Sequence, residues 1–184
     1  MIRTLLIAML LVACLHYRPA AAVAVDEIIN YVEYSAELSS SGQPTAGQLK
    51  SVDTAGFERV VFLAFSDNPG SLVNEDRLVK NLGMEYVHIP VDWDAPTPSD
   101  FNLFAGAMQR SPGKKTLVHC QVNFRASAFS FLYRVLFAGV ALDLAKQDME
   151  GVWVPNRTWR ELIFSVLEAN GVSPHCDGCL WQSD

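Results

Sequence analysis

The sequence is short of charge, short of cysteine, and has no apolar run long enough to cross a membrane. Charged residues make up 18% of the 184 positions and hydrophobic ones 50%, a balance that excludes a disordered chain and fits a single globular domain with a full core. Basic residues are outnumbered, 14 to 20, and form no stripe that could follow a phosphate backbone, so nucleic acid is not an expected partner. No internal repeat is present, and low complexity is confined to SSSG at 39–42. The one CxxC pair, Cys176 and Cys179, has only His175 beside it, too few ligands for a structural zinc.

The longest early apolar run, Leu5–Leu15, follows Arg3 and leads into RPAAAVAVD, with small residues at an A-x-A spacing. That is the layout of a secretory signal peptide, with cleavage expected after Ala22 or Ala24; a membrane-spanning helix needs roughly 20 apolar residues. A second reading takes Leu11-Val12-Ala13-Cys14 as a lipoprotein cleavage box, which would leave a lipidated Cys14 as a membrane anchor. The polar stretch His16–Arg18 ahead of the alanines favours ordinary cleavage. The expectation is a bacterial protein exported to the periplasm or secreted, with a signal over 1–24, one domain over 25–172 and a tail over 173–184. Cleavage removes Arg3 and Arg18 from the 14 basic residues, leaving 12 against 20 acidic ones and a net charge near −8. In an oxidising compartment Cys176 and Cys179 are expected to form a local disulfide, in preference to redox exchange with Cys120. Cys120 is then the odd thiol that needs a reason.

The pattern over Asp26–Ser41 is weak and predicts one or two edge strands around Tyr31, Val32, Tyr34 and Leu38. Thr45 and Gln48 form a capping box for a helix through about Ala55, stopped by Gly56. Val60–Phe65 and Tyr86–Val91 are continuous apolar runs of strand length, expected to be buried on both faces. Between them Leu72–Leu82 reads as a helix with Glu75 and Asp76 near its start. Thr97, Pro98 and Asp100 open a helix that ends at SPGKK, with Asp100 as part of the cap. Thr116–His119 is a third strand. Ala126–Ala138 is apolar nearly all round and predicts a buried central helix, followed by helices over Leu142–Glu150 and Arg157–Ala169, the last capped by Asn156. Strands alternating with helices predict an α/β domain with a mainly parallel central sheet flanked by helices, whose ligands bind beyond the carboxyl ends of the strands.

Cys120 falls at such an end. In LVHCQVNFRAS an apolar strand runs into a His-Cys pair, a short polar loop, an arginine and an apolar helix. A helix N-terminus gathers backbone N–H groups and positive dipole, which favours a thiolate and gives an anion a seat. Arg125 can grip an oxyanion with two parallel N–H bonds, which lysine cannot. Asn123 tolerates the left-handed conformation that lets loop amides curl inward. A plain core turn would not follow its cysteine with polar residues and an arginine.

HCQVNFRAS resembles the phosphate loop of the cysteine-dependent tyrosine and dual-specificity phosphatases. The mature chain looks like their bacterial phosphatase-like relatives, including those fused to β-lactamase-like hydrolases, through SSGQPTAGQL, YVHIPV, LVHC, ASAFSFLYR and VWVPNRTW, over about Ile28–Asn170. The resemblance implies that Cys120 attacks phosphorus and forms a phosphocysteine, needing no metal or other cofactor. It implies that Gln121, Val122, Asn123, Phe124 and Ala126 cradle the phosphoryl oxygens with Arg125, and that Asp94 or Asp92 protonates the leaving oxygen. Ser127 matches the serine that stabilises the leaving thiolate, and His119 the residue that orients the cysteine. Trp153 and Trp159 read as packing anchors, and Trp93 as a pocket wall. The partner implied is a phosphorylated substrate of unknown identity. The sequence departs from the family pattern at one place: four residues, not five, separate Cys120 from Arg125, so that Ala126 stands where the arginine is expected. A four-residue spacing also occurs in rhodanese-like sulfurtransferases, which would carry a persulfide on Cys120. A non-catalytic anion-binding module is the third alternative.

Overall fold

Parallel pairing of buried apolar strands organises the molecule. The computed structural model describes residues 24–177 and 179–181; the signal segment, with Cys14, lies outside them except for Ala24. A 3-10 turn at Val25–Glu27 leads into β1 (Val32–Glu33), β2 (Leu38–Ser41), α1 (Ala46–Thr54), β3 (Arg59–Phe62), α2 (Glu75–Asn81) and β4 (Glu85–His88). Then come α3 (Pro98–Gln109), β5 (Thr116–His119), α4 (Phe124–Phe137), α5 (Leu142–Glu150) and α6 (Arg157–Ala169). The strands form one sheet in the order β1-β2-β5-β3-β4, parallel except for the β1–β2 pair. Among the described residues no helix is long and apolar enough to cross a membrane.

Side chains alternate across the sheet, so each strand feeds two cores. Val60 and Leu117 pack with Leu49 and Val52 of α1 and Val79 of α2, whereas Val61 and Val118 pack with α3, α4, α5 and α6 on the opposite face. α4 is the buried central helix that the sequence predicts: every residue from Ala126 to Leu132 is at most 1% exposed. Capping boxes at Thr45–Gln48 and Thr97–Asp100 and the Asn156 cap start α1, α3 and α6 as expected.

Four elements differ from expectation. The segment expected to give only edge strands contributes β2, an interior strand whose Ser39, Ser40 and Ser41 are fully buried. Burial is possible because Ser39 and Ser40 pair with the Tyr31 and Tyr34 hydroxyls at 3.0 and 2.8 Å, and Ser41 donates to the Gly42 carbonyl at 2.8 Å. Left unpaired, each such hydroxyl would cost about 1–3 kcal/mol. Conversely, β4 is half-buried because it lies at the edge of the sheet, with no further strand beyond it among the described residues. α2 starts at Glu75 rather than Leu72, because Asn74 is left-handed with φ 57°. α4 starts at Phe124, two residues earlier than expected.

The tail is fastened down. Cys176 and Cys179 are disulfide-bonded, and Trp181 donates to the Pro174 carbonyl at 2.8 Å while its ring meets Phe131 and Phe164.

Gly42 joins β2 to the loop after β5. A Cβ there would stand 2.8 Å from the Gln121 carbonyl oxygen and 2.9 Å from the Ile29 side chain. The Gly42→Ala variant is therefore expected to lose about 1–3 kcal/mol, as overpacked sites do, and denaturant unfolding measures it.

Candidate active site

β5 carries Cys120 to its carboxyl end, where the thiol is fully buried and free. Three neighbours hold the loop that follows. The Cys120 N–H donates to the Ser41 carbonyl at 3.3 Å, the Gln121 carbonyl accepts from the Gln43 N–H at 3.0 Å, and the Val122 carbonyl accepts from the Asn30 amide at 3.0 Å. In a trans peptide the N–H points opposite to the carbonyl before it, so the Val122 and Asn123 amides face away from Gln43 and Asn30. Asn123 is left-handed, with φ 73°, and its amide donates to the Asn30 carbonyl. α4 then begins, and the N–H groups of Phe124, Arg125 and Ala126 are the first of a helix, with no intrahelical acceptor. A loop with amides turned to one side, ending in a helix N-terminus, has the geometry to seat an anion.

Arg125 decides what the shifted spacing means. Since α4 starts at Phe124, Arg125 lies in its first turn and its side chain folds back over the loop, only 6% exposed. Nε donates to the Val91 carbonyl at 3.0 Å, Nη1 reaches Gln121 Oε1 at 3.5 Å, and the guanidinium lies 5.3 Å from the Trp93 ring centre. Burial lowers its pKa from the ordinary 12.5, opposed by the charge of the Cys120 sulfur and of Asp92 and Asp94. The arginine faces the cysteine. Ala126, where the family pattern has its arginine, is a fully buried helix residue.

The loop with the two aspartates is drawn to the same place. Asp92 Oδ1 accepts from the Asp94 N–H at 2.9 Å, closing a turn in which both carboxylates stay exposed. Trp93 points inward, its carbonyl accepting from the Trp159 indole at 3.0 Å. Phe124 stacks on Trp153 at 4.8 Å and 10°, and Trp93 packs on Trp153 and Trp159 at 5.3 and 5.4 Å. VWVPNRTW thus ties the aspartate loop to the cysteine loop. The Ser127 hydroxyl donates to the Phe124 carbonyl and accepts from the Trp153 indole, each at 3.1 Å.

His119 is fully buried and stacks on Phe62 at 4.7 Å, which stacks on His88 at 5.0 Å. Its Nε2 lies 2.9 Å from Glu75 Oε1, close but off the line of a good hydrogen bond. Glu75 in turn accepts from the Gln43 amide at 3.2 Å. Asn30, Gly42, Gln43 and Glu75 are site residues that sequence reasoning misses. Glu75 reads as an ordinary solvated acid at a helix start, yet it is 4% exposed and supports the loop from beneath. Among the described residues no group of three or more His, Cys, Asp or Glu could hold a metal ion.

No protein-family model matches this chain, and no curated protein does. Solved structures do match. Tk-PTP in its active form superposes with a TM-score of 0.65 over 76% of this chain and 97% of its own, at 20% identity. Pseudomonas aeruginosa TpbA gives 0.60 over 73% and 83%, at 18% identity; at such identities these two show a shared fold. A DUF442 phosphatase-like protein of Shewanella putrefaciens CN-32 is 32% identical with a TM-score of 0.73, over 79% of this chain and 96% of its own. Identity at that level along nearly the whole of the Shewanella protein carries descent as well as fold, and places this chain in the DUF442 family, on the tyrosine and dual-specificity phosphatase fold.

Proposed function

We propose that the protein hydrolyses a phosphomonoester through a phosphocysteine on Cys120. The observation that carries this reading is the buried guanidinium of Arg125, turned back from the first turn of α4 toward the Cys120 sulfur. A cation there can hold two phosphoryl oxygens while the amides from Val122 to Ala126 hold the rest. Cys120 Sγ attacks phosphorus, the bond to the ester oxygen breaks, and an aspartate gives that oxygen its proton. Water then attacks the phosphocysteine, passing its proton to the same aspartate, and the thiolate leaves with inorganic phosphate.

Asp94 is the acid in this scheme, because Asp92 has one oxygen engaged in fastening the loop. Asp94→Asn is expected to lower kcat for a poor leaving group by about 10²- to 10⁴-fold, and much less for p-nitrophenyl phosphate, whose leaving group needs no proton. Asp92→Asn keeps an oxygen for the same turn and should lose little. The reverse order in a steady-state comparison would make Asp92 the acid.

An assay with p-nitrophenyl phosphate tests the reading as a whole. Hydrolysis is expected; a folded protein without it, forming thiocyanate from thiosulfate and cyanide with persulfide mass on Cys120, would instead be a sulfurtransferase. We also propose that residues 1–24 direct export from the cytoplasm. The Cys176–Cys179 disulfide supports this, since such bonds persist in oxidising compartments, and the mass of the mature protein from a secreted fraction would check it.

A further inference from the structure

We infer that Glu75 is a positioning residue for the reaction at Cys120, its buried carboxylate holding the segments on both sides of the thiol. The inference rests on the phosphoester reading, which makes Cys120 the nucleophile. Glu75 opens α2 directly after the left-handed Asn74, and its side chain is buried. Oε1 lies 2.9 Å from His119 Nε2, and Oε2 accepts from the Gln43 amide at 3.2 Å. His119 is the residue before Cys120. Gln43 reaches the residue after it, because its N–H donates to the Gln121 carbonyl at 3.0 Å. The Ser41 carbonyl, two residues before Gln43, accepts from the Cys120 N–H at 3.3 Å. One side chain thus grips the chain before and after the thiol.

The His119 ring is fixed on its face by Phe62, which stacks on it at 4.7 Å and 14°, and this leaves its edge for Glu75. A carboxylate only accepts hydrogen bonds, so its approach puts a proton on Nε2. The attraction between the two groups persists although the line of the bond is poor, because a charge interaction depends on distance more than on alignment. Stability alone does not call for a carboxylate here. Burying a charge is costly, and a well-packed apolar side chain in its place is often as stable or more so. Among the described residues, the buried side-chain atoms without a hydrogen-bond partner include four in this cluster: Gln43 Oε1, Glu75 Oε1 and both ring nitrogens of His119. Native structures leave few buried polar groups unpaired, and a role in the chemistry is one reason for keeping them. This cluster is joined to Cys120 through the chain on one side and through Gln43 on the other.

The test uses full-length wild-type protein and Glu75→Gln, which removes the charge at nearly constant shape. Kinetics with p-nitrophenyl phosphate are read together with inhibition by vanadate, which takes the five-coordinate shape of phosphoryl transfer, and by inorganic phosphate, which keeps the ground-state shape. Glu75→Gln is expected to lower kcat about 10- to 100-fold with KM within about twofold, since a misplaced reacting group costs turnover before it costs binding. Vanadate inhibition should weaken by the factor lost in kcat/KM, and phosphate inhibition by less than about twofold. Gln43→Ala, at a half-buried position, cuts the other arm and should show the same split; it carries the test if Glu75→Gln does not fold. A lower thermal midpoint with kcat unchanged would overturn the inference and leave Glu75 a structural support. Equal weakening of vanadate and phosphate would also overturn it, because the seat itself would then be damaged. A wild-type protein that hydrolyses nothing would overturn the phosphoester reading and the inference with it.

Discussion

Replacing Cys120 by serine is expected to lower turnover of an aryl phosphate by on the order of 10⁴-fold or more, the scale seen when a covalent nucleophile is removed. A hydroxyl is a far weaker nucleophile than a thiolate and makes a poorer leaving group from the second intermediate. The substitution is nearly isosteric, and the new hydroxyl lies beside the Arg125 guanidinium, which offers it a donor, so the fold should survive. Tungstate should still raise the thermal midpoint of Cys120→Ser, since the loop amides and Arg125 remain. Lost turnover with retained oxyanion binding separates chemistry from binding. Turnover persisting near the wild-type rate would remove Cys120 from the mechanism.

The second large effect concerns Arg125, which has two tasks. Its Nε holds the Val91 carbonyl, and with it the start of the aspartate loop, while the rest of the guanidinium faces Cys120 and Gln121. Lysine has one nitrogen and cannot do both, so Arg125→Lys is expected to lower kcat by about 10²- to 10³-fold, the range for removing one transition-state donor. Arg125→Ala should lose more and also raise KM, because the aspartate loop is released. Restoring the family spacing should not rescue it. In Arg125→Ala/Ala126→Arg the new arginine would grow from a position with no exposure inside α4, costing roughly 1–3 kcal/mol or more in overpacking before any charge is buried. Recovery of activity in that double variant would show that the guanidinium can reach the phosphate from either position, and that Arg125 is not bound to its place by Val91.

Arg125→Ala and the double variant together test whether a four-residue spacing can serve the proposed reaction. What matters for the phosphate is where the guanidinium ends, not how many residues precede it. The left-handed Asn123 starts α4 at Phe124, and the early start turns position 125 rather than 126 toward the cysteine.

By itself the sequence determined the α/β architecture, the helix caps, the buried central helix and the loop with its cysteine. Each of these rests on short-range signals: apolar runs of strand length, Thr-x-x-Gln and Thr-x-x-Asp boxes, and a strand–loop–helix junction around Cys120. It could place β2 only as an edge strand, because three serines in a row show no reason to be buried until the Tyr31 and Tyr34 hydroxyls arrive to satisfy two of them. Nor could it show that Glu75 is a buried support of His119 and Gln43, since an acid at a helix start is ordinarily solvated. Only the tertiary structure decided that Arg125 faces Cys120. That outcome depends on the Val91 carbonyl and the Trp93 ring, which lie more than thirty residues earlier in the chain and come beside the loop only when β3, β4 and β5 pair.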